Sequence, residues 1–305
     1  MIYDVNGVDL AKAYDVNANM KTVAYDVDGL DIWHSHKVSS RYTRTVMFTL
    51  SDIPGGTQGL ACDSLSQTIS QLYSGRIVNI DIDTGTWENK AESFDLGHGG
   101  TGQFAPAKIN PSDPFPPLYV SGQQNYTIND VNYQRIYEVY IGANGCTLNR
   151  LFFVPAPAGS NGMSAIDFER GVFWQFTSPQ YDPDPTIEFS TVYKYDFTQF
   201  EPIETSSRPV NGSYVFTDLL DTFTVPFVPE MQSLSYFDGL IACLSDSGYV
   251  AFFDVDKKEP YMTLTRDIAP FEREGIGFIL NPDTNQTDMI LTSRNNSYYR
   301  YEFIL

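Results

Sequence analysis

Basic residues are scarce in this sequence, and that scarcity excludes one class of partner. Only 19 Lys and Arg stand against 38 Asp and Glu, giving a formal net charge of −19 at pH 7. Phosphate backbones are bound by clustered basic side chains, so we expect no nucleic-acid partner. The simplest role of the acidic charge is solubility.

Long apolar runs and cysteine pairs are also missing. The first residues, MIYDVNGVDL, lack the basic and apolar regions of a secretory signal, and no run of eighteen apolar residues occurs. Cys62, Cys146 and Cys243 are widely spaced in apolar segments, which favours buried free thiols over a disulfide or a metal site. We therefore expect a protein made in the cytoplasm, with no membrane partner and no cofactor.

Common catalytic motifs are absent as well. The chain has no Gly-x-Ser-x-Gly, phosphate-binding loop or His-Glu-x-x-His sequence. Asp81-x-Asp83 followed by Gly85 has the spacing of calcium ligands, but Asp-Thr-Gly is also ordinary turn chemistry after a strand. We predict no metal site and no catalytic residues.

A repeated block of short strands is what the chain does contain. Three strands separated by polar turns are predicted in each of residues 59–83, 162–196, 233–255 and 275–305, and a looser block covers residues 102–154. Aromatic residues make up 14% of the chain, and no convincing amphipathic helix is predicted. Small sheets repeated in this way are typical of a β-propeller. The predicted fold class is all-β, a five-bladed β-propeller, with six blades as the alternative.

The last block is one strand short. Residues 44–50, RTVMFTL, precede the first block without a sheet of their own. We predict that this run is the outer strand of the fifth blade, so that the N-terminal strand closes the ring and covers two exposed sheet edges. In the first blade, residues 91–96 are the predicted fourth strand.

An eleven-residue repeat opens the chain. YDVNGVDLAKA, YDVNANMKTVA and YDVDGLDIWHS follow one another from Tyr3 onward. Each unit is too small to bury its apolar residues alone, so it must stack on its neighbours, on sister chains or on a larger partner. We predict an attachment or oligomerisation segment at residues 1–32, a linker at 33–42 and the propeller at 43–305. The predicted attachment residues are Tyr3, Val5, Tyr14, Val16, Tyr25 and Val27.

These motifs carry a family resemblance. Tandem YDVNG-type repeats ahead of a different C-terminal module resemble those at the start of tail-associated and fibre-like proteins of phages and prophages from gut bacteria. The module with GHGGTGQFAPAK and PPLYVSG is similar to propeller proteins of such phages and, more distantly, to helveticin-like proteins. The resemblance implies a virion component that contacts other virion proteins. Its assembly into the virion would take place in the bacterial cytoplasm.

The propeller geometry predicts where a ligand binds. In a four-stranded blade, two kinds of connection emerge on the same face of the propeller. One joins an outer strand to the inner strand of the next blade, and the other joins the second strand of a blade to its third. The longest predicted loops, at residues 122–132, 155–161, 177–188 and 208–230, fall on that face, so we predict binding there. Their aromatic residues can stack on sugar rings, and polar residues before each inner strand rim the channel. The predicted ligand-binding residues are Gln58, His98, Asn161, Gln232, Glu274, Tyr126, Tyr181 and Tyr214.

Two functions are compatible with this site. The preferred one is a non-enzymatic tail-fibre, receptor-binding or decoration protein that adheres to host-surface glycan or protein. We expect this protein to be a homo-oligomer. The alternative is a propeller glycoside hydrolase, which needs two carboxylates across the channel. Glu274 is suitably placed, but no second carboxylate starts another inner strand, and Asp63 and Asp167 are predicted near the opposite face. A purely structural role in a capsid or tail is a third possibility.

Overall fold

The computed structural model describes residues 24–25, 31–33, 41–53, 57–73, 76–91, 96, 99–143, 145–156, 160–179, 189–207, 209–246, 249–265 and 273–304. These ranges contain β-strands and turns and no helix, which confirms the all-β prediction. Of the predicted attachment residues, Tyr25 lies on a described strand, while Tyr3, Val5, Tyr14, Val16 and Val27 fall outside the described residues.

The strands follow one another in chain order. The first half of the chain contains β1 (Ala24–Tyr25), β2 (Asp31–Trp33), β3 (Tyr42–Thr49), β4 (Gly59–Asp63), β5 (Thr68–Tyr73), β6 (Arg76–Asp81), β7 (Trp87–Ala91), β8 (Gly99–Phe104), β9 (Leu118–Ile128), β10 (Val131–Ile141) and β11 (Cys146–Pro155). The second half contains β12 (Ser160–Asp167), β13 (Val172–Pro179), β14 (Phe189–Asp196), β15 (Phe200–Pro202), β16 (Ser213–Phe216), β17 (Leu219–Pro226), β18 (Met231–Phe237), β19 (Leu240–Ser245), β20 (Tyr249–Asp254), β21 (Glu259–Leu264), β22 (Arg273–Asn281), β23 (Gln286–Ser293) and β24 (Ser297–Phe303).

Apart from the β1–β2 pair, these strands form four sheets of four strands and one sheet of six. In chain order the sheets are β4–β5–β6–β7, β8–β9–β10–β11 extended by β16 and β15, β12–β13–β14–β17, β18–β19–β20–β21, and β22–β23–β24–β3. We call them the first to fifth sheets, and β4, β8, β12, β18 and β22 their inner strands. In the fifth sheet, β3 pairs antiparallel with β24 from Tyr42 opposite Phe303 to Thr49 opposite Ser297.

Five hydrophobic clusters lie between consecutive sheets. The first and second sheets share one cluster, and the second and third, third and fourth, and fourth and fifth sheets share the next three. A fifth cluster joins the fifth sheet back to the first through Ile279, Ile290 and Tyr298 packed with Leu60 and Ile69. Each sheet is therefore buried on both faces, which is a propeller-like arrangement.

Glycine lets the inner strands approach one another closely. A Cβ atom added at Gly275 would lie 2.6 Å from Leu60 Cβ, and one at Gly277 would lie 2.7 Å from Cys62 Sγ. A Cβ atom at Gly102 would lie 2.9 Å from Ala61 Cβ. Since real Cβ contacts are longer than this, only glycine permits this spacing of β22, β4 and β8.

The six-stranded second sheet arises from an insertion in the third sheet. The chain between β14 and β17 crosses over, and its strand β16 pairs parallel with β11. It delivers Phe200 and Phe216 onto Phe152, with ring centroids 5.3 and 5.2 Å away. Aromatic pairs of this kind add about 0.5–1.5 kcal/mol each beyond their buried area, so the insertion fastens the second sheet to the third.

Three sequence-based boundaries were wrong. The fourth strand of the first sheet is Trp87–Ala91, earlier than the predicted residues 91–96. Residues 122–132 are the tip of the β9–β10 hairpin, whose turn residues Asn129 and Asp130 have φ of 49° and 64°, so this segment is not a loop. Residues 208–230 contain β16 and β17, because the crossing insertion separates β14 from its partner strand.

Turn carboxylates account for the Asp-x-Asp spacing. Asp81 Oδ1 accepts the backbone amides of Asp83 at 3.2 Å and Thr84 at 2.8 Å, and the Thr84 hydroxyl bond lowers the pKa of Asp81. Asp254 Oδ1 likewise accepts the amides of Asp256 and Lys257. Both residues are the last of the third strand of their sheet, where such bonds stabilise the turn that follows.

Candidate functional site

The antiparallel strand order gives the ring two faces. We call the face where the inner strands begin, near Gln58, Gln232 and Glu274, the entry face. The exit face is where they end, near Asp63, Phe104, Asp167, Phe237 and Leu280. The two longest described connections, residues 105–117 and 197–218, join strands at the exit face. The prediction that long connections cluster on the entry face was therefore incomplete, because the strand-crossing insertion was not recognised as part of a sheet.

Two of the predicted rim residues lie at bulges of the entry face. The register of β18 shifts between Met231 and Ser233, and that of β22 shifts between Arg273 and Gly275, so Gln232 and Glu274 are the extra residues. Bulges change the direction in which a side chain points. Their side chains are 5% and 6% exposed, so neither presents much surface to solvent. Gln58 is half-buried, and its backbone amide donates to the Leu72 carbonyl at 2.9 Å.

The other predicted binding residues divide into two groups. Tyr126 packs against Phe153 with ring centroids 5.6 Å apart, and its hydroxyl lies 3.1 Å from the Ser206 hydroxyl. Tyr214 packs against Phe200 at 4.9 Å and donates to the Asn211 carbonyl at 2.7 Å. Both therefore have structural contacts. Asn161 lies on β12, although its side chain is outside the described residues, as are His98 and Tyr181.

The entry face also carries a buried polar network between the fifth and first sheets. Asn296 Oδ1 accepts from Thr57 Oγ1 at 3.1 Å and from Gln71 Nε2 at 3.0 Å. Tyr298 donates its hydroxyl to Gln71 Oε1. Burial raises the pKa of Tyr298 above its usual value, so this hydroxyl remains a donor. Such satisfied networks fix the relative position of two sheets.

A cavity of about 670 Å³ opens on the exit face, where the five inner strands end. This volume is within the range of small-molecule sites in proteins. The lining residues come from all five inner strands, from the segments after them and, for Thr287, from β23. They are Cys62, Asp63, Ser64, Leu65, Gly102, Gln103, Phe104, Ala105, Pro106, Ile166, Asp167, Phe168, Glu169, Ser235, Tyr236, Phe237, Gly277, Phe278, Leu280 and Thr287. We call this the exit cavity.

The two buried carboxylates of the exit cavity are held in turns. Asp63 Oδ1 accepts the Leu65 amide at 3.1 Å, and Oδ2 accepts the Ser66 hydroxyl at 2.6 Å. Asp167 Oδ1 accepts the amides of Glu169 and Arg170, while Oδ2 accepts the Tyr236 hydroxyl at 2.7 Å. The sequence analysis correctly assigned both aspartates to this face. All four carboxylate oxygens therefore accept hydrogen bonds from the protein itself.

Tyr236 joins the cavity wall to the core. Its hydroxyl bonds to Asp167, and its ring stacks on Trp174 with centroids 5.4 Å apart and planes at 18°. Burial raises the pKa of Tyr236 above its usual value, so the hydroxyl stays protonated. Arg170 continues the chain of contacts, with Nε 3.0 Å from Asp167 and Nη1 2.6 Å from Asp256. These contacts join the third sheet to the fourth along the cavity wall.

Cys62 also lines the exit cavity, but its chemistry is suppressed. Burial, with a smaller contribution from Asp63, raises the pKa of this thiol well above its usual value. Since the thiolate is the reactive form, Cys62 is not suited to be a nucleophile. The described part of the chain holds no group of three or more His, Cys, Asp or Glu side chains arranged to bind a metal ion. It also holds no helix long and apolar enough to cross a membrane.

A smaller cavity of about 310 Å³ lies beside the second sheet, toward the same face. Its lining includes Phe115, Tyr140, Thr147, Asn149 and Asn211. Desolvation, and then the nearby Glu138, raise the pKa of Tyr140. Both cavities thus belong to the exit side of the ring.

Sequence reasoning missed the exit cavity, although a signal was present. Four phenylalanines near the ends of inner strands line the cavity. Phe104 and Phe237 are the last residues of β8 and β18, Phe168 directly follows β12, and Phe278 lies near the end of β22. An aromatic residue recurring at the same strand end in four blocks predicts a shared aromatic surface. The sequence analysis predicted binding on the other face because the longest predicted loops were assigned to that face.

The fold is all-β and propeller-like, and a cavity of about 670 Å³ lies where its inner strands end. No family model matches the chain, and no curated protein gives a significant match. Among solved structures, the chain is similar to the crystal structure of Myxococcus xanthus glutaminyl cyclase, with 11% sequence identity and a TM-score of 0.46 over 86% of this chain and 96% of that chain. This similarity is too low to indicate a shared activity or site.

Proposed function

We propose that the protein is a bacteriophage virion component of the tail-fibre, receptor-binding or decoration type, which binds a host-surface glycan or protein without cleaving it. The support is the amino-terminal repeat, whose resemblance to phage tail-associated proteins implies a place in the virion, together with a fold that offers a binding cavity. Assembly would take place in the bacterial cytoplasm.

We infer that the binding part is a five-bladed propeller closed by β3. Five sheets and five clusters between them support the blade count, and the pairing of β3 with β24 supports the closure. The Ile304 amide donates to the Arg41 carbonyl at 2.9 Å, so both chain ends meet at one sheet. A ring closed in this way is a rigid support for a site.

Residues 1–32 are the proposed attachment to sister chains and to other virion proteins. The chain enters the fifth sheet at Tyr42, opposite Phe303, which is the exit-face end of its outer strand. The attachment segment is therefore connected to the propeller at the end of one outer strand. It is not connected at the centre, where the exit cavity opens. Many such sites on one particle would add their weak affinities by multivalency.

The residues of the exit cavity are the reason for proposing binding and not catalysis. Its aromatic rings and hydroxyl groups suit a sugar, while its buried carboxylates accept turn hydrogen bonds and are not a free acid and base. The alternative, a glycoside hydrolase acting on a surface polysaccharide, relies on Glu274 at the entry face. That residue is 6% exposed, and general acid–base catalysis needs contact with the substrate.

Retention and cleavage of polysaccharide separate the two functions. The full chain is incubated with a panel of purified bacterial surface polysaccharides, and bound protein and newly formed reducing ends are both measured. We expect retention on at least one polysaccharide with no release of reducing ends. Release that disappears in Glu274→Gln but persists in the exposed control Glu259→Gln would establish the hydrolase and overturn the proposal. No retention on any polysaccharide would contradict glycan binding and would leave only a protein receptor.

A further inference from the structure

The exit cavity has charge of one sign only. Its charged lining residues are Asp63, Asp167 and Glu169, and its described lining contains no Lys, Arg or His. Arg170 offsets part of the charge of Asp167, whereas Glu169 is exposed at the rim. The chain as a whole carries a net charge of −19. A concave site lined by one sign of charge concentrates ligands of the opposite sign, so the cavity favours a cation.

Aromatic rings line the same cavity. Phe237 and Phe278 stack with centroids 5.0 Å apart and planes at 23°, and Phe168 and Tyr236 are half-buried beside them. Rings in such positions attract cations through their faces and pack against flat, weakly polar surfaces. The ligand should therefore combine a positive charge with a flat face.

Three inner strands carry a buried hydroxyl group without a partner, two residues before a cavity-lining residue. Thr101, Ser164 and Ser233 are each at most 6% exposed, and their hydroxyl oxygens have no hydrogen-bond partner among the described residues. Two positions further along each strand lie the cavity-lining residues Gln103, Ile166 and Ser235. None of the three hydroxyl residues lines the exit cavity itself, so they lie behind its wall. Buried polar groups normally have partners, and bound water is the usual partner of such groups.

We propose that the exit cavity binds a sugar bearing a free ammonium group, such as a hexosamine unit of a surface polysaccharide. The ammonium group lies near the rim carboxylate of Glu169, the apolar face of the sugar packs on the phenylalanine rings, and its hydroxyl groups meet the polar lining residues Gln103, Ser235 and Thr287. A volume of about 670 Å³ accommodates a ligand of one or two sugar rings. The inference rests on the proposed binding function and specifies its ligand class.

Isothermal titration calorimetry on the full chain tests the inference with two matched probes. The β-1,4-linked glucosamine disaccharide carries two ammonium groups, and its N,N′-diacetyl form has the same rings without the charge. We expect the glucosamine disaccharide to bind at least about tenfold more tightly, since acetylation removes the electrostatic attraction. We also expect its affinity to fall in 0.5 M salt, because the rim charge is screened.

Substitution of the rim carboxylate locates the binding. Glu169→Gln keeps the side-chain shape and should weaken glucosamine disaccharide binding about threefold to fivefold, as for an exposed ion pair. Glu201→Gln on β15 is the matched control, because it removes an exposed carboxylate that does not line the cavity, and it should leave affinity unchanged. Equal losses in the two variants would mean that only the overall charge matters and would overturn the inference.

Other outcomes are equally decisive. Equal affinity for the acetylated disaccharide, or no heat of binding with either probe, overturns the ammonium-sugar ligand. In both cases, retention of the full chain on a neutral polysaccharide would leave the proposed binding function intact. The failure of the ligand class can therefore be told from the failure of the function.

Discussion

A chain that begins at Asp52 is expected not to fold, whereas one that begins at Ser39 folds like the full chain. Both lack the predicted attachment segment, but only the shorter one lacks β3. Removing β3 exposes the whole edge of β24 and deletes Phe48, whose ring lies 5.0 Å from that of Tyr298, and Tyr42, 5.4 Å from Tyr301. We expect a loss above about 5 kcal/mol, comparable with the total stability of many domains.

Urea denaturation followed by circular dichroism checks this prediction. The chain from Ser39 should show one cooperative transition at the midpoint of the full chain, and the chain from Asp52 should show none or precipitate through its open sheet edge. A cooperative transition of the shorter chain at the same midpoint would mean that β3 is dispensable and that the ring does not depend on this strand.

Arg150→Met is expected to destabilise the protein by about 3 kcal/mol, because it leaves the buried carboxylate of Glu138 without its cation. Glu138 is 1% exposed, and Arg150 Nη2 donates to its Oε1 at 3.0 Å. Tyr119 and Asn149 also donate to this carboxylate at 3.0 Å, but they are neutral. Two neutral hydrogen bonds do not replace a charge partner in an apolar surrounding.

Lys258→Met is the matched control. Lys258 Nζ lies 2.6 Å from Asp221 Oδ2, but both side chains are partly open to solvent, at 46% and 32% exposure, so the expected loss is below about 1 kcal/mol. Adding Glu138→Gln to Arg150→Met should restore part of the lost stability, since the unpaired charge is gone. Equal losses in Arg150→Met and Lys258→Met, measured by urea denaturation, would contradict a buried charge at Glu138.

Strand positions were predictable where burial decides them locally. Residues such as 240–245, LIACLS, are all buried, and a short apolar run between turns predicts a strand without knowledge of its neighbours. The run RTVMFTL was matched to the incomplete last block by counting strands, and β3 does lie beside β24.

The crossing insertion and the exit cavity were not predictable in the same way. Residues 213–216, SYVF, have the pattern of a strand, but nothing local indicates that they pair parallel with β11, which lies sixty residues earlier in sequence. The cavity depends on the convergence of five strand ends, each supplying one or two residues such as Phe104 and Phe278. Convergence of distant segments is a tertiary property, so loop length alone pointed to the wrong face.

Light scattering on the full chain and on the chain from Ser39 tests the central claim, that residues 1–32 assemble a propeller able to stand alone. The account predicts an oligomer, with a mass that is a whole multiple of the chain mass, for the full protein and a stable monomer for the shortened one. Two monomers would contradict self-assembly through the repeats, and an oligomer in both would place assembly in the propeller itself.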